Sequence, residues 1–92
     1  MTILELTKQL IRIPSLTSDQ AQCKIALDMI AELFGSDRFI IERFEHEGIH
    51  SLIIKNFDGQ RADVCFNGHI DVVPPQSPEQ RAPTERDWLL YG

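Results

Sequence analysis

The sequence has no long hydrophobic run, few aromatic residues and fewer basic than acidic side chains. Its 92 residues include one tryptophan, one tyrosine and two cysteines, and the net charge at pH 7 is −5. Because phosphate contacts need a basic surface, this charge argues against a nucleic-acid partner. The apolar stretches are too short for a membrane span, and the N-terminus lacks the basic start and apolar core of a signal peptide.

Cysteine is scarce, and Cys23 and Cys65 form no closely spaced pair. Wide spacing argues against a redox motif, and we expect two reduced thiols in a cytoplasmic protein. The hydrophobic content of 42% and the charged content of 25% are ordinary for a globular chain. Length and composition together predict one small domain.

Two helices are predicted in the first third of the chain. Thr2 and Glu5 have the spacing of a capping box, and apolar residues then recur at helical spacing up to Pro14, which predicts a helix over about residues 3–13. Thr17 and Gln20 have the same capping spacing before a second helix, predicted over about residues 18–34. The predicted buried stripe of that helix consists of Ile25, Met29, Ile30 and Leu33.

Strand patterns follow the helices. They cover about residues 39–44, 51–56 and 62–67. Turns are expected at Gly48 and at Asp58-Gly59. A proline-rich stretch, residues 74–87, reads as a loop, and residues 88–91 read as the start of a further strand. This order predicts an α/β fold in which two N-terminal helices pack on a small sheet of about three strands. A strand start at the end of the chain suggests that residues 1–92 are an incomplete piece of a larger domain.

The string Phe66-Asn67-Gly68-His69-Ile70-Asp71 carries the strongest chemical signal. In extended backbone, residues two apart share a face, so His69 and Asp71 are expected to project together. A neutral imidazole is a good zinc ligand, and a carboxylate on its other nitrogen fixes the tautomer and raises the basicity of the ligand. The bare His-x-Asp pattern is weak evidence, because such a pair is more often a surface pair or a structural hydrogen bond.

Residues 66–75 resemble the first metal motif of the zinc hydrolases that include succinyl-diaminopimelate desuccinylase, acetylornithine deacetylase and related carboxypeptidases. Residues 6–17 are similar to the opening helix and the proline-serine loop of that family. Residues 83–87 and 90–92 are similar to the run that leads into the family's second motif. The resemblance covers nearly the whole chain, and the desuccinylases are the most similar subgroup.

The resemblance implies specific roles. His69 is the expected metal ligand, and Asp71 is the expected catalytic-site carboxylate that holds it. The complete site holds two zinc ions, with cobalt as an alternative metal, and hydrolyses the amide bond of an N-acyl amino acid. N-succinyl-diaminopimelate is the first expected substrate, and acetylornithine deacetylase or carboxypeptidase-like activity is the alternative. The bridging aspartate, the glutamate base and the other ligands have no match here, so the 92 residues alone are expected to be inactive. The resemblance also implies that the full-length parent is a homodimer.

The chain also departs from the family pattern. The loop after Pro75 is shorter than expected. Gln76 and Trp88 each occupy a position where the family usually has glycine. His46 and His50 flank Gly48 and are read as exposed turn residues rather than ligands. A different class of function also stays open, namely a non-enzymatic α/β module that binds a partner through an exposed sheet edge.

Overall fold

The computed structural model describes all 92 residues, Met1 to Gly92. Its elements are α1 (Ile3–Arg12), α2 (Gln20–Leu33), β1 (Ile40–His46), β2 (Ile49–Lys55), a 3₁₀ helix (Pro78–Arg81), β3 (Thr84–Arg86) and β4 (Leu89–Tyr91). The strands form two separate antiparallel pairs, β1–β2 and β3–β4. The predicted mixture of helices and a small sheet is confirmed, but four strands in two pairs replace the single sheet of about three strands.

Helix α1 begins and ends for the reasons expected from its sequence. The Glu5 amide donates to Thr2 Oγ1 at 3.1 Å, and the Thr2 amide donates to Glu5 Oε2 at 2.8 Å, so both halves of the capping box form. The helix ends at Arg12, and the amide of Ile13 closes its last turn on Leu10. Pro14 prevents continuation, because proline disfavours helical geometry in the residue before it.

Helix α2 begins at a different cap from the one predicted. Asp19 is the N-cap, and its carboxylate accepts from the Gln22 amide at 3.2 Å. The predicted capping box of Thr17 with Gln20 is wrong, since the Gln20 side chain donates to the backbone carbonyl of Thr17 at 2.8 Å. An aspartate is at least as good a cap as threonine, and its negative charge also suits the positive end of the helix dipole.

The packing of α2 depends on small residues. Its buried positions are Cys23, Ala26 and Ala31. The predicted apolar stripe is not buried as a whole, because Ile25 is 50% exposed and Leu33 is 43% exposed. The helix contacts β2. The larger apolar side chains at its edges are left without cover.

The first hairpin follows the sequence pattern closely. Its strands are β1 and β2, paired in register from Ile40 opposite Lys55 to His46 opposite Ile49. The two-residue turn consists of Glu47 and Gly48, with φ of 51° and 81°. Positive φ at both positions is the requirement of the tight turn that matches the twist of paired strands. The predicted turn at Gly48 is therefore confirmed.

Residues 62–67 do not form the predicted third strand, and Asp58-Gly59 is not a hairpin turn. The backbone from residue 64 to residue 70 has no assigned helix, strand or turn. A strand needs a neighbour for its backbone hydrogen bonds, and the fold places no strand beside this segment. The apolar residues behind the prediction are consequently open to solvent, with Val64 70% and Phe66 96% exposed.

The C-terminal third is more ordered than the loop predicted for residues 74–87. It contains the 3₁₀ helix and β3, while β4 matches the further strand that was expected. These elements lie against α1 through an ion pair between Lys8 Nζ and Glu85 Oε2 at 2.6 Å. Gly92 lies so close to Ile11 that an added Cβ would come within 2.6 Å of its Cδ1 atom, so a larger residue there would require the Ile11 side chain to shift.

The whole chain is extended for its size. Its radius of gyration is 15.0 Å, against about 12 Å for a compact domain of this length. Its accessible surface is 7602 Å², against about 5,400 Å² for a folded monomer of this mass. Four residues are buried, and among the large apolar residues none is. Neither helix is long and apolar enough to cross a bilayer.

Candidate metal centre

The site is built from two segments far apart in sequence. The first is the tight loop between the helices, which we call the clamp loop (residues 13–19). Proline breaks the helix here, and short backbone bonds fold the chain back: the Ser15 amide donates to the Ile13 carbonyl at 2.8 Å, and the Asp19 amide donates to the Leu16 carbonyl at 2.8 Å. The second is the motif segment, residues 68–72.

The two segments pair as a short parallel bridge between Leu16 and Val72. The Val72 amide donates to the Ser15 carbonyl at 2.8 Å, and the Thr17 amide donates to the Val72 carbonyl at 3.3 Å. This bridge substitutes for the sheet that was expected to support the motif. It holds the backbone immediately after Asp71, while the residues before Gly68 remain unpaired.

Ser15 anchors the bridge from below. The residue is 3% exposed, and its hydroxyl donates to the Ile70 carbonyl at 3.0 Å. Cys23 of α2 lies under the same loop, with its thiol 3.3 Å from the Leu16 carbonyl oxygen. A buried hydroxyl must find a partner, and Ser15 finds it in the motif segment. Ser15 therefore has a structural role in this loop.

His69 and Asp71 lie together, as the spacing predicted. The Nδ1 atom of His69 is 3.2 Å from Asp71 Oδ1 and 2.9 Å from the backbone oxygen of Asp71. Both oxygens are acceptors, so these contacts require the neutral imidazole to carry its proton on Nδ1. The side chain of His69 is 83% exposed, which leaves the Nε2 lone pair accessible.

Asp71 is held on its other side by Thr17. The Thr17 hydroxyl donates to Asp71 Oδ2 at 2.6 Å, the length of a strong hydrogen bond to a charged acceptor. This bond is the largest cause that lowers the pKa of the Asp71 carboxyl, followed by the residue's own backbone hydrogen bond and by His69. A lowered pKa keeps the carboxyl ionised, and the ionised carboxylate is the form that accepts a hydrogen bond from the imidazole.

The motif residues alone do not complete a metal site. The chain contains no group of three or more histidine, cysteine, aspartate or glutamate side chains placed to hold a metal ion. His69 with Asp71 fits one ligand and its supporting carboxylate, whereas a zinc site needs four ligands. Neither of the other histidines lies in the turn as predicted: His46 is the last residue of β1, with a side chain that is 90% exposed, and His50 lies in β2.

Thr17 and Ser15 are the site residues that sequence reasoning did not identify. Thr17 was assigned to a helix cap. The one available signal was the position of both hydroxyls beside Pro14, in a loop too short to leave them unpaired. Nothing in the sequence linked that loop to a motif more than fifty residues away.

A cleft of about 330 Å³ begins next to the motif, between α1 and the C-terminal third. Its wall includes Val72 and Val73, which follow Asp71 directly. No protein-family model matches the chain, and no solved structure matches it.

Proposed function

We propose that residues 1–92 provide one histidine ligand of a zinc-dependent amidohydrolase that cleaves an N-acyl amino acid. The observation that carries the proposal is the Asp71 carboxylate on Nδ1 of His69, with Nε2 left exposed. Histidines that bind metals commonly donate their second ring nitrogen to a carboxylate or a carbonyl, and here both acceptors come from Asp71. The resemblance of residues 66–75 to a zinc-hydrolase motif supports the same assignment.

A zinc ion, when bound, supplies positive charge that polarises an amide carbonyl and lowers the pKa of water. The chain's own residues contribute the setting for this chemistry. His69 offers the Nε2 lone pair, Asp71 fixes the ring and its tautomer, and the clamp loop fixes Asp71. The general base and the remaining ligands have no match in these 92 residues, which by themselves are expected to bind zinc weakly and to hydrolyse nothing.

A zinc titration followed at the histidine side chains tests the ligand assignment. With Zn²⁺ alone as the probe, the ring signals of His69 should shift at lower zinc concentration than those of His46 and His50, and the shift should report coordination through Nε2. His46 serves as the internal control because its side chain is similarly exposed but lacks a carboxylate on Nδ1. An equal response of all three histidines contradicts the assignment.

The reaction class needs a separate assay on the natural protein that carries this segment. Release of succinate from N-succinyl-diaminopimelate supports the first proposed substrate, and release of acetate from N-acetylornithine supports the alternative. The activity should disappear on chelation and return with zinc or cobalt. If neither substrate is cleaved in the presence of either metal, the hydrolase proposal is wrong. A cytoplasmic location remains part of the proposal.

The exposed apolar surface favours a second candidate function, an α/β module that binds a partner through its unpaired segment. Val64 and Phe66 lie on backbone that has no strand neighbour, and such backbone recruits other chains. A second copy of the chain is the occupant to test first, by sedimentation equilibrium. The candidate is supported if self-association is lost in Phe66→Lys but kept in Ile3→Lys. Ile3 is the matched control because it is also highly exposed, at 85%. A monomer at every concentration refutes it.

A further inference from the structure

The clamp loop makes a side-chain contact with the motif that the proposed function does not require by itself. Thr17 reaches across to Asp71 with a hydroxyl–carboxylate distance of 2.6 Å. On the far side of the same carboxylate, Oδ1 faces the imidazole of His69 at 3.2 Å. Thr17, Asp71 and His69 thus form a chain of hydrogen bonds that ends at the exposed Nε2 atom.

We propose that Thr17 is a positioning residue that fixes the orientation of the Asp71 carboxylate and, through it, the ring of His69. This inference rests on the proposed function, because it concerns the same histidine. Asp71 is partly exposed, with 35% of its side chain accessible. An exposed aspartate without a second partner is able to rotate, and rotation takes Oδ1 away from Nδ1.

The two oxygens of Asp71 explain why the threonine acts on the histidine. A carboxylate with both oxygens engaged has one favourable rotamer, because each hydrogen bond must be broken to turn the group. Thr17 is itself fixed, since its amide donates to the Val72 carbonyl at 3.3 Å. The Thr17 hydroxyl therefore fixes the position of the Asp71 side chain relative to the backbone bridge that holds the motif.

A purely structural role for Thr17 makes a different prediction. In that case the hydroxyl would stabilise the bridge between Leu16 and Val72 and leave the imidazole unaffected. Ser15 already serves the bridge, with a buried hydroxyl on the Ile70 carbonyl. The two roles are separable, because one is read at the Val72 amide and the other at the ring of His69.

The test compares Thr17→Val, Thr17→Ser and Asp71→Asn by NMR. Valine keeps the shape of threonine and removes the donor, while serine keeps the donor. Thr7→Val is the matched control, because the Thr7 hydroxyl donates to the Ile3 carbonyl within α1, away from the motif. Three quantities are measured in each variant: hydrogen exchange of the Val72 amide, the fraction of His69 with its proton on Nδ1, and the Zn²⁺ concentration that half-shifts the His69 ring.

In Thr17→Val, the proton on Nδ1 should become less populated, and the half-shifting Zn²⁺ concentration should rise about three- to tenfold, which corresponds to the loss of one hydrogen bond. Thr17→Ser should restore both values, and Thr7→Val should change neither. In an Asp71→Asn background, Thr17→Val should have no further effect. Unchanged ring and zinc values in Thr17→Val, with altered exchange at Val72 alone, overturn the inference.

The outcomes separate this inference from the proposed function. If Asp71→Asn leaves the zinc preference of His69 over His46 and His50 intact, the proposed function itself fails. If Asp71→Asn abolishes that preference while Thr17→Val does not alter it, only the role of Thr17 is wrong. If Thr17→Val loses the bridge between Leu16 and Val72, exchange of the Thr17 hydroxyl proton is measured in the unsubstituted chain instead. Slow exchange supports the contact between Thr17 and Asp71, and rapid exchange overturns the inference.

Discussion

Replacing Trp88 by glycine is expected to stabilise the β3–β4 hairpin. The turn residues Asp87 and Trp88 have φ of 51° and 64°, and Trp88 is fully exposed at 105% of its reference area. A side chain in this left-handed region costs about 1–2 kcal/mol. Glycine has no such strain but loses about 0.5–1 kcal/mol more chain entropy on folding. Because the exposed indole buries nothing, the net gain should be about 0.5–1 kcal/mol.

Amide hydrogen exchange at the paired residues of the hairpin measures this gain locally. The register joins Thr84 to Tyr91 and Arg86 to Leu89. Exchange through hairpin opening should slow about two- to fivefold in Trp88→Gly, the factor that corresponds to 0.5–1 kcal/mol. Trp88→Ala is the matched control, since it removes the same indole but keeps a Cβ in the strained region, and its exchange should stay near that of the parent chain.

The first hairpin supplies the inverse experiment. Gly48 has φ of 81°, and a Cβ added there would meet no atom within 4 Å. Gly48→Ala therefore tests backbone strain without a steric clash, and it should speed exchange in β1–β2 through a loss of about 1 kcal/mol. The reasoning is refuted if glycine and alanine at position 88 give equal exchange, or if Gly48→Ala leaves β1–β2 unchanged.

Two further predictions concern ionisable groups. Cys65 is exposed and should react with a thiol reagent at neutral pH. Cys23 is 4% exposed, and burial raises the pKa of its thiol, so it should react only on unfolding. Equal reaction rates of the two thiols in the native chain would contradict the packing of α2 under the clamp loop. The Thr2 backbone hydrogen bond lowers the pKa of Glu5 from its ordinary 4.5, so its contribution to stability is complete above that value and is lost as pH falls through the lowered pKa. Helicity measured by circular dichroism should therefore fall in acid, and Glu5→Gln should reduce that pH dependence; an unchanged acid profile refutes the role of the capping box.

Signals confined to a few neighbouring residues predicted structure well. The capping box of Thr2 with Glu5 and the stop at Pro14 define α1, and Gly48 defines the β1–β2 turn. Each of these signals acts within one turn of helix or one tight hairpin, so its energy does not depend on the rest of the fold. The same residue types would direct the same local geometry in many other chains.

Residues 62–67 show where local pattern fails. The apolar residues Val64, Cys65 and Phe66 favour a strand, but a strand is stabilised by a neighbour that the pattern does not specify. Without that neighbour, the apolar face is solvent-exposed and adds to the large accessible surface of the chain. The motif beyond it is held instead by a bridge of a single residue pair, Leu16 with Val72.

The misassigned cap of α2 and the missed site contact have one physical cause. Thr17 and Asp19 both have side chains able to accept from the first amides of the helix, and only one cap is needed. Asp19 takes that position, so the Thr17 hydroxyl is left to donate elsewhere, and the bridge to Val72 places the Asp71 carboxylate within its reach. A threonine used as the cap would have its hydroxyl directed at the helix amides. Because Asp19 caps the helix, the Thr17 hydroxyl is positioned to hold the Asp71 carboxylate, which in turn contacts His69.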